Sequence, residues 1–196
     1  MTELPLSGER VDLGGHSVAW WPCHIGHDTI VGQHVSIGAL AHIGQRVHIG
    51  HRCKIQGAAY IADECVLEQR VFIGPSAVLL NDKFPPSNDR TKWKPVVVRE
   101  GAVIGGHATV VPGCTVGKNS VLAAGAVLTK DLPPNEVWAG NPATYLMSRE
   151  DYEQRREEAA RMRKSIAHIE ARDKEILSSL LSHSEDLVAR VLAELN

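Results

Sequence analysis

A branched aliphatic residue stands at every sixth position from Ile25 to Leu79, and no step is missed. A small or medium side chain follows four residues after each of the first nine anchors, and six anchors are followed directly by glycine. A period of six belongs to neither an α-helix nor an ordinary strand, and it is typical of a β-solenoid. We therefore expect inward-pointing anchors, with glycines where a side chain would crowd the turning chain. The anchors are Ile25, Val31, Ile37, Ile43, Ile49, Ile55, Ile61, Leu67, Ile73 and Leu79.

The repeat is interrupted once. It stops after Leu79 and resumes at Val98, from where it continues to Leu128. The interval from Leu79 to Val98 is far longer than one hexad, so about 13 residues must leave the solenoid. Pro85 and Pro86 lie inside this interval and cannot donate to a strand ladder. Because long loops in compact folds are usually functional, the loop 80–97 is the first candidate for an active site.

Composition divides the chain into three parts. Residues 1–23 are expected to cap the solenoid, with Trp20 and Trp21 as a plug on its open end. Residues 24–146 form the all-β solenoid. Residues 147–196 are predicted to be an α-helical extension, because from 148 onward they lack proline and glycine and are rich in Glu, Arg, Ala and Leu.

The extension carries a short heptad seam. Its members step 4-3-4-3-4 along the chain, with one polar break. A helical hairpin bent near residues 182–184, a trimeric bundle and packing against the solenoid of the same subunit all suit this pattern. The seam consists of Met162, Ile166, Ile169, Asp173, Ile176 and Leu180.

Overall composition excludes several classes of function. The formal net charge of −2 argues against a nucleic-acid-binding protein. No apolar run approaches the roughly 18 residues of a membrane span, and the N-terminus lacks a secretory signal. Cys53, Cys65 and Cys114 fall on the small inward position of the repeat, and no CxxC pair is present. These features predict a cytoplasmic protein that contacts neither membrane nor nucleic acid.

Several segments are more specific than generic hexads: residues 71–76 (VFIGPS), 81–85 (NDKFP), 105–111 (GGHATVV), 124–131 (AGAVLTKD) and 140–143 (GNPA). Together they resemble the hexapeptide-repeat acyltransferases, and among these the N-acetyltransferases that modify the 3-amino group of UDP- or dTDP-linked amino sugars. The resemblance covers about residues 23–146. It implies a left-handed parallel β-helix with three hexads per coil, acetyl-CoA as co-substrate, and a homotrimer whose seams hold both substrates.

The resemblance also implies roles for individual residues. Asn81 would orient the sugar amine, while the departing CoA sulfur accepts the proton. Asp82 or His107 are the alternative proton acceptors. A backbone N–H near Gly106 or Ala124 would meet the thioester carbonyl.

Further residues match positions that contact the two substrates. Ala124, Gly125, Lys130 and Asn141 are candidates for binding CoA, with Lys130 near its 3′-phosphate. Four more are candidates for binding the nucleotide sugar: Glu68, Lys83, Arg90 and Lys92. The cations of the loop are equally well explained as groups that keep it soluble.

Three alternatives remain open. The acceptor can be a sugar hydroxyl or an amino acid, which would demand a stronger base and favour His107. The chain can be a non-catalytic trimeric scaffold whose helical tail recruits a partner.

A zinc site is not expected, because solenoid γ-carbonic anhydrases bind zinc with histidines at a five-residue spacing that no pair here shows. His24 and His42, separated by three hexads, are instead expected to stack on successive coils.

Overall fold

The computed structural model describes the backbone of residues 8–194, and the side chains of residues 8–178 other than 165, 166, 171 and 177. Most of its strands are only two residues long, as expected when a coil turns after every hexad. In chain order they are β1 (Glu9–Gly14), β2 (Ser17–Trp21), β3 (His24–Ile25), β4 (Ile30–Val31), β5 (Ser36–Ile37), β6 (His42–Ile43), β7 (His48–Ile49), β8 (Lys54–Ile55), β9 (Tyr60–Ile61), β10 (Val66–Leu67), β11 (Phe72–Ile73), β12 (Val78–Leu79), β13 (Val97–Val98), β14 (Val103–Ile104), β15 (Thr109–Val110), β16 (Thr115–Val116), β17 (Val121–Leu122), β18 (Val127–Leu128), β19 (Glu136–Gly140) and β20 (Ala143–Ser148).

The strands stack into three sheets that form the faces of a parallel β-solenoid, so the predicted fold class is confirmed. Sheet A runs β1-β2-β5-β8-β11-β14-β17-β19-β20, sheet B runs β3-β6-β9-β12-β15-β18, and sheet C runs β4-β7-β10-β13-β16. Each coil passes from sheet A to B to C. We call the columns of turns between them the AB edge, the BC edge and the CA edge.

The strand register confirms the predicted excursion. Ile49 pairs with Leu67, three hexads further along the chain, but Leu67 pairs with Val98, which lies well beyond the next three hexads. The excess matches the predicted excursion of about 13 residues. The two later pairs across the interruption, Ile73 with Ile104 and Leu79 with Val110, carry the same offset. The loop therefore leaves and rejoins the solenoid without disturbing the stacking of any face.

The interior of the solenoid is made of the predicted anchors. From Ile37 to Leu128 the aliphatic anchors are fully buried, and Cys53, Cys65 and Cys114 are buried beside them. Ile25 and Val31 are only partly buried because they belong to the first complete coil, which lacks a full neighbour on its N-terminal side. Burial raises the pKa of the Cys65 thiol to about 12, so this cysteine is inert at neutral pH.

Antiparallel hairpins close both ends of sheet A. Strand β1 pairs with β2, and β19 pairs with β20. Trp20 and Trp21 are 39% and 56% exposed, so their predicted role as a plug is wrong. The opposite end carries an unpredicted aromatic: Trp138 takes the anchor position next to Leu122 and is 7% exposed.

The turns between strands require two things, a left-handed backbone and close approach between coils, and these fall on different positions. Left-handed backbone is adopted three residues after the anchor, mostly by other residues such as Asp28 and Leu40, with φ of 58° and 63°. The glycine after the anchor is needed instead for close approach between coils. A Cβ at Gly74 would lie 2.5 Å from the backbone nitrogen of Gly106.

A single α-helix, α1 (Arg149–Glu194), forms the C-terminal extension. It runs without interruption through residues 182–184, so the hairpin alternative is wrong. Serine and histidine lower helix propensity by only tenths of a kcal/mol, and no proline or glycine is present to stop the helix. Residues up to 150 and residues from 151 onward form two compact units. Within residues 8–194 no helix has the length and apolarity needed to cross a bilayer.

The contact at Gly74 predicts a stability change. Gly74→Ala should lower the free energy of unfolding by about 1–3 kcal/mol, because the methyl group forces two coils apart. Gly106→Ala is the matched control, since its added Cβ meets the Pro75 side chain at 3.3 Å and needs only a small shift. Thermal unfolding followed by circular dichroism measures both. Equal stability of Gly74→Ala and the parent would show that the coils are not packed this closely.

Candidate functional site

The projecting loop begins at the BC edge, directly after β12. The backbone N–H of Lys94 donates to the carbonyl of Asn81 at 2.7 Å, which ties the two ends of the loop together. The Asn81 side chain lies at this neck. Its Nδ2 donates to the backbone carbonyl of Asp63 on the preceding coil, at 3.2 Å. Asn81 is thus held by the solenoid itself and not by the projecting part of the loop.

The orientation of the Asn81 amide has a chemical consequence. Because Nδ2 is bound to Asp63, Oδ1 faces away from that coil as a hydrogen-bond acceptor. In the part of the chain that the structure describes, no donor reaches this oxygen. A fixed carbonyl acceptor can hold an N–H of an incoming amine, but it cannot remove a full proton.

Asp82 organises the loop. Its Oδ2 accepts from the backbone N–H of Ser87 at 2.9 Å, and its Oδ1 accepts from that of Phe84 at 3.1 Å. These bonds, that from Ser87 first, hold the pKa of Asp82 below its usual range. A carboxylate with a lowered pKa is a weaker base, so the geometry favours a structural role for Asp82.

Arg90 folds the loop back onto the solenoid. Its guanidinium lies 3.1 Å from Oε1 of Gln45 and 3.3 Å from Oδ2 of Asp63, and 5.3 Å from the centre of the Trp93 ring. Arg90 and Lys92 belong to a short 3₁₀ turn (Arg90–Lys92), where Lys92 pairs with Asp89 at 3.5 Å. Lys83 is exposed near the start of the loop. Of these three predicted sugar-binding cations, Arg90 is the one whose side chain binds residues of the solenoid.

The predicted CoA-binding residues and His107 meet at the AB edge. Gly106 and His107 occupy one turn, and Ala124 and Gly125 occupy the turn above, where the Gly125 N–H donates to the Gly106 carbonyl at 2.9 Å. His107 is exposed, has φ of 58°, and donates its backbone N–H to Pro75 at 2.9 Å. Gly106, Ala124 and Gly125 have small side chains or none, so a long ligand chain can lie close to the backbone there.

The loop and the AB edge border opposite sides of sheet B. Within one chain, Asn81 and His107 therefore do not share a site. Between them, sheet B presents a column of stacked rings: His24 and His42 lie 4.6 Å apart, as their three-hexad spacing predicted, and Tyr60 follows at 5.0 Å. Desolvation, and then the neighbouring His24, lower the pKa of His42.

The remaining predicted residues lie elsewhere. Glu68 lies at the CA edge, where it binds Arg99 at 2.7 Å and the Glu100 N–H at 2.8 Å, and the Arg99 bond contributes most to its lowered pKa. Lys130 lies 5.1 Å above the Trp138 ring at the C-terminal end of the solenoid. Asn141 belongs to the turn between β19 and β20. Among the described side chains, no three His, Cys, Asp or Glu residues group as a metal site.

Asp63 is the residue that sequence reasoning missed. It supplies the carbonyl that holds Asn81, its carboxylate binds Arg90, and its Oδ1 accepts from the Gln45 N–H at 3.0 Å. The sequence clue to its role was its position three hexads, or one coil, before Asn81.

Comparisons with known proteins find matches to part of this chain. Residues 95–130 match the family model of the bacterial transferase hexapeptide, six repeats. A 75-residue stretch is 39% identical to 2,3,4,5-tetrahydropyridine-2,6-dicarboxylate N-acetyltransferase of Staphylococcus aureus, which is 38% of this chain and 29% of that protein. The chain thus matches less than a third of the length of this curated relative.

Two solved structures share the fold over 66% of this chain. The acetyltransferase domain of PglB from Neisseria gonorrhoeae is 25% identical, with a TM-score of 0.57 and 57% of its chain covered. PerB from Caulobacter crescentus, solved in complex with CoA and GDP-perosamine, is also 25% identical, with a TM-score of 0.58 and 56% covered.

The contacts of Arg90 predict how the loop responds to mutation. Arg90→Ala should speed amide hydrogen exchange in residues 82–93 several-fold, because the loop loses its contacts with Gln45 and Asp63. Lys92→Ala is the control, since Lys92 pairs only within the loop with Asp89. Exchange in the strands of sheet B should not change in either variant. Parent-like exchange in Arg90→Ala would show that this arginine does not hold the loop.

Proposed function

Because residues 95–130 match the bacterial transferase hexapeptide, we propose that this chain is an acetyl-CoA-dependent N-acetyltransferase whose acceptor is the amine of a nucleotide-linked amino sugar. One observation carries this proposal: Asn81 Nδ2 donates to the Asp63 carbonyl at the neck of the loop, which leaves Oδ1 as an acceptor that no described donor binds. The repeat alone would suit many acceptors. A fixed acceptor oxygen in this place suits an amine.

The chemistry requires little from a base. The lone pair of the amine attacks the thioester carbon, the C–S bond breaks, and the departing CoA thiolate takes the proton that the nitrogen loses. Asn81 Oδ1 would accept one N–H and so aim the lone pair at the carbonyl carbon. Positioning of this kind contributes several kcal/mol of barrier reduction on its own. The lowered pKa of Asp82 agrees with a mechanism that does not depend on that carboxylate.

The AB edge is the proposed site for acetyl-CoA. Gly106, Ala124 and Gly125 leave the backbone accessible there, and a backbone N–H of this strip would bind the oxyanion that develops on the thioester carbonyl. His107 lies on the same strip and is the alternative proton acceptor. PerB, which is similar to this chain, was solved with CoA and a nucleotide sugar together.

We propose a homotrimer as the active form. The loop and the AB edge border opposite sides of sheet B, so both substrates meet only if a second copy brings its loop to the AB edge of the first. Ring-shaped association of three equal copies closes the assembly. The seam between two copies also supplies the concave surface that a flat solenoid face lacks.

The finer substrate assignment rests on the motifs of the loop region. We propose the 3-amino group of a UDP- or dTDP-linked sugar, for cell-surface polysaccharide synthesis in the cytoplasm, where acetyl-CoA and nucleotide sugars are available. Lys83 and Lys92 are the loop cations best placed for a pyrophosphate, since Arg90 is bound to Asp63. Glu68, Lys130 and Asn141 remain candidates for outer contacts in the assembled trimer.

Release of the CoA thiol tests the proposal directly. Incubation with acetyl-CoA and a UDP- or dTDP-3-amino sugar should release one thiol per acetylated sugar, measured with a disulfide reagent and confirmed by mass spectrometry of the amide. Burial raises the pKa of Cys53, Cys65 and Cys114, so these protein thiols contribute little background. GDP-linked amino sugars serve as the comparison set. A protein that binds no CoA and acetylates none of these acceptors would contradict the proposal.

Paired substitutions assign the proton. Asn81→Ala should lower kcat by about 100-fold while the trimer persists, because the amine loses its alignment. His107→Ala should change kcat only a few-fold. The reverse order of effects would indicate a histidine base and an acceptor such as a sugar hydroxyl or an amino acid, and full activity of Asn81→Ala would remove this residue from the mechanism.

A further inference from the structure

Helix α1 exposes a regular apolar stripe. The helix contains 46 residues, which corresponds to a length of about 69 Å. Met162, Ile169 and Ile176 are spaced one heptad apart and are 67%, 58% and 50% exposed. Residues at this spacing lie on the same side of a helix. Three large apolar side chains exposed in one line are typical of a surface that binds a partner.

The rest of the heptad is present in the sequence. Ile166, Asp173 and Leu180 fall between and beyond the three exposed residues at the alternating spacing of four and three. In heptad notation Met162, Ile169 and Ile176 occupy d, and the other three occupy a. The side chains of Ile166 and Leu180 lie outside the described ones, so their assignment comes from the sequence alone.

We propose that this seam binds the same seam of two further copies, so that α1 forms a parallel three-stranded coiled coil. The seam residues select the number of strands. Isoleucine at d disfavours a parallel dimer, and isoleucine at both positions or leucine at a with isoleucine at d favours three or four strands. Here Ile166 is followed by Ile169, and Ile176 is followed by Leu180.

The flanking positions are electrostatically compatible with self-association. In a parallel pair, position g of one helix faces position e of the next heptad on its neighbour. Glu158 at g then faces Arg163 at e, and both side chains are exposed in the single chain. The next two pairs, Ser165 with Glu170 and Arg172 with Leu177, carry no like charges. Parallel orientation follows from threefold symmetry, and in this respect the inference rests on the trimer of the proposed function.

Asp173 weakens the coiled coil at one layer. A carboxylate at an a position brings three negative charges to the seam, between the hydrophobic layers of Ile169 and Ile176. A single polar residue at a sets register and strand number at a cost in stability. The tail is therefore built to associate within an assembly and not to be maximally stable.

Cysteine crosslinking of the full chain tests the seam. Ile169→Cys places thiols at one d layer, and His168→Cys places them one position away, at c, where they point outward. Mild oxidation should link Ile169→Cys chains rapidly into covalent pairs, with the yield levelling at about two thirds, because one disulfide joins two of three chains. His168→Cys and the parent should remain unlinked.

Each other outcome overturns the proposal. Crosslinking of nearly all Ile169→Cys chains would indicate an even number of strands, two or four. Equal linking of both variants would indicate random collisions, and no linking would mean that the seam binds a different partner. Acetyl transfer measured on the same samples separates the two proposals, since an active enzyme with an unlinked tail contradicts only the coiled coil.

A second pair of variants provides an independent reading. Asp173→Ile should raise the midpoint of helix melting, followed by circular dichroism, by about 5 °C or more, because it replaces three carboxylates by a packed layer. Lys174→Ile adds the same side chain at position b, outside the seam, and should not raise the midpoint. Equal shifts in both variants would show that helix propensity, and not a seam, sets the stability.

Discussion

Everything in this structure depends on the hydrogen-bonded stacking of one coil on the next. The N–H of Gly26 donates to the carbonyl of Ile43 at 2.9 Å, and the same bond recurs one coil later from Gly44 to Ile61 at 2.8 Å. This ladder sets a spacing of about 4.8 Å between backbones. From Ile37 to Leu128 aliphatic anchors fill the interior, and at positions such as Gly74 a Cβ would clash with the next coil. An insertion is tolerated only where the chain leaves an edge and returns in register.

The loop obeys this constraint, and the candidate site follows from it. Its extra residues leave at the BC edge, and Val98 takes the pairing with Leu67 that a residue three hexads after Leu67 would otherwise have made. The neck of the loop is tied to the solenoid by the hydrogen bond from Asn81 Nδ2 to the Asp63 carbonyl, so Asn81 has a fixed partner in an otherwise exposed segment. Asp63, on the coil below, accepts from Asn81 through its backbone carbonyl and from Arg90 through its carboxylate, so it holds both ends of the loop contact. Rigid positioning is what a reaction without a strong base requires.

The sequence predicted what depends on periodicity. The anchors, the buried cysteines, the stacking of His24 on His42 and the length of the excursion all follow from a repeat that returns to the same face after every three hexads. It did not predict what depends on contacts between distant turns. Arg90 was predicted to bind the nucleotide sugar, because the neighbouring sequence does not show that Asp63 lies beside it in the fold.

Two other expectations were wrong. Trp20 and Trp21 read as a plug because bulk suggests burial, whereas a hairpin closes that end of sheet A. The bend expected near residues 182–184 is absent because weak helix formers do not end a helix whose neighbours favour it. Asn81 and His107 border opposite sides of sheet B, so they can meet in one site only between two copies of the chain.

The central claim is that one copy presents the amine and its neighbour presents the thioester. A crystal structure of the full chain with CoA and a UDP- or dTDP-linked 3-amino sugar tests it most directly. The account predicts a trimer in which the sugar nitrogen lies about 3 Å from Asn81 Oδ1 of one copy, while the CoA sulfur lies on the AB edge of the next, beside Gly106. A sugar nitrogen bound away from Asn81, or both ligands bound on a single isolated chain, would contradict it.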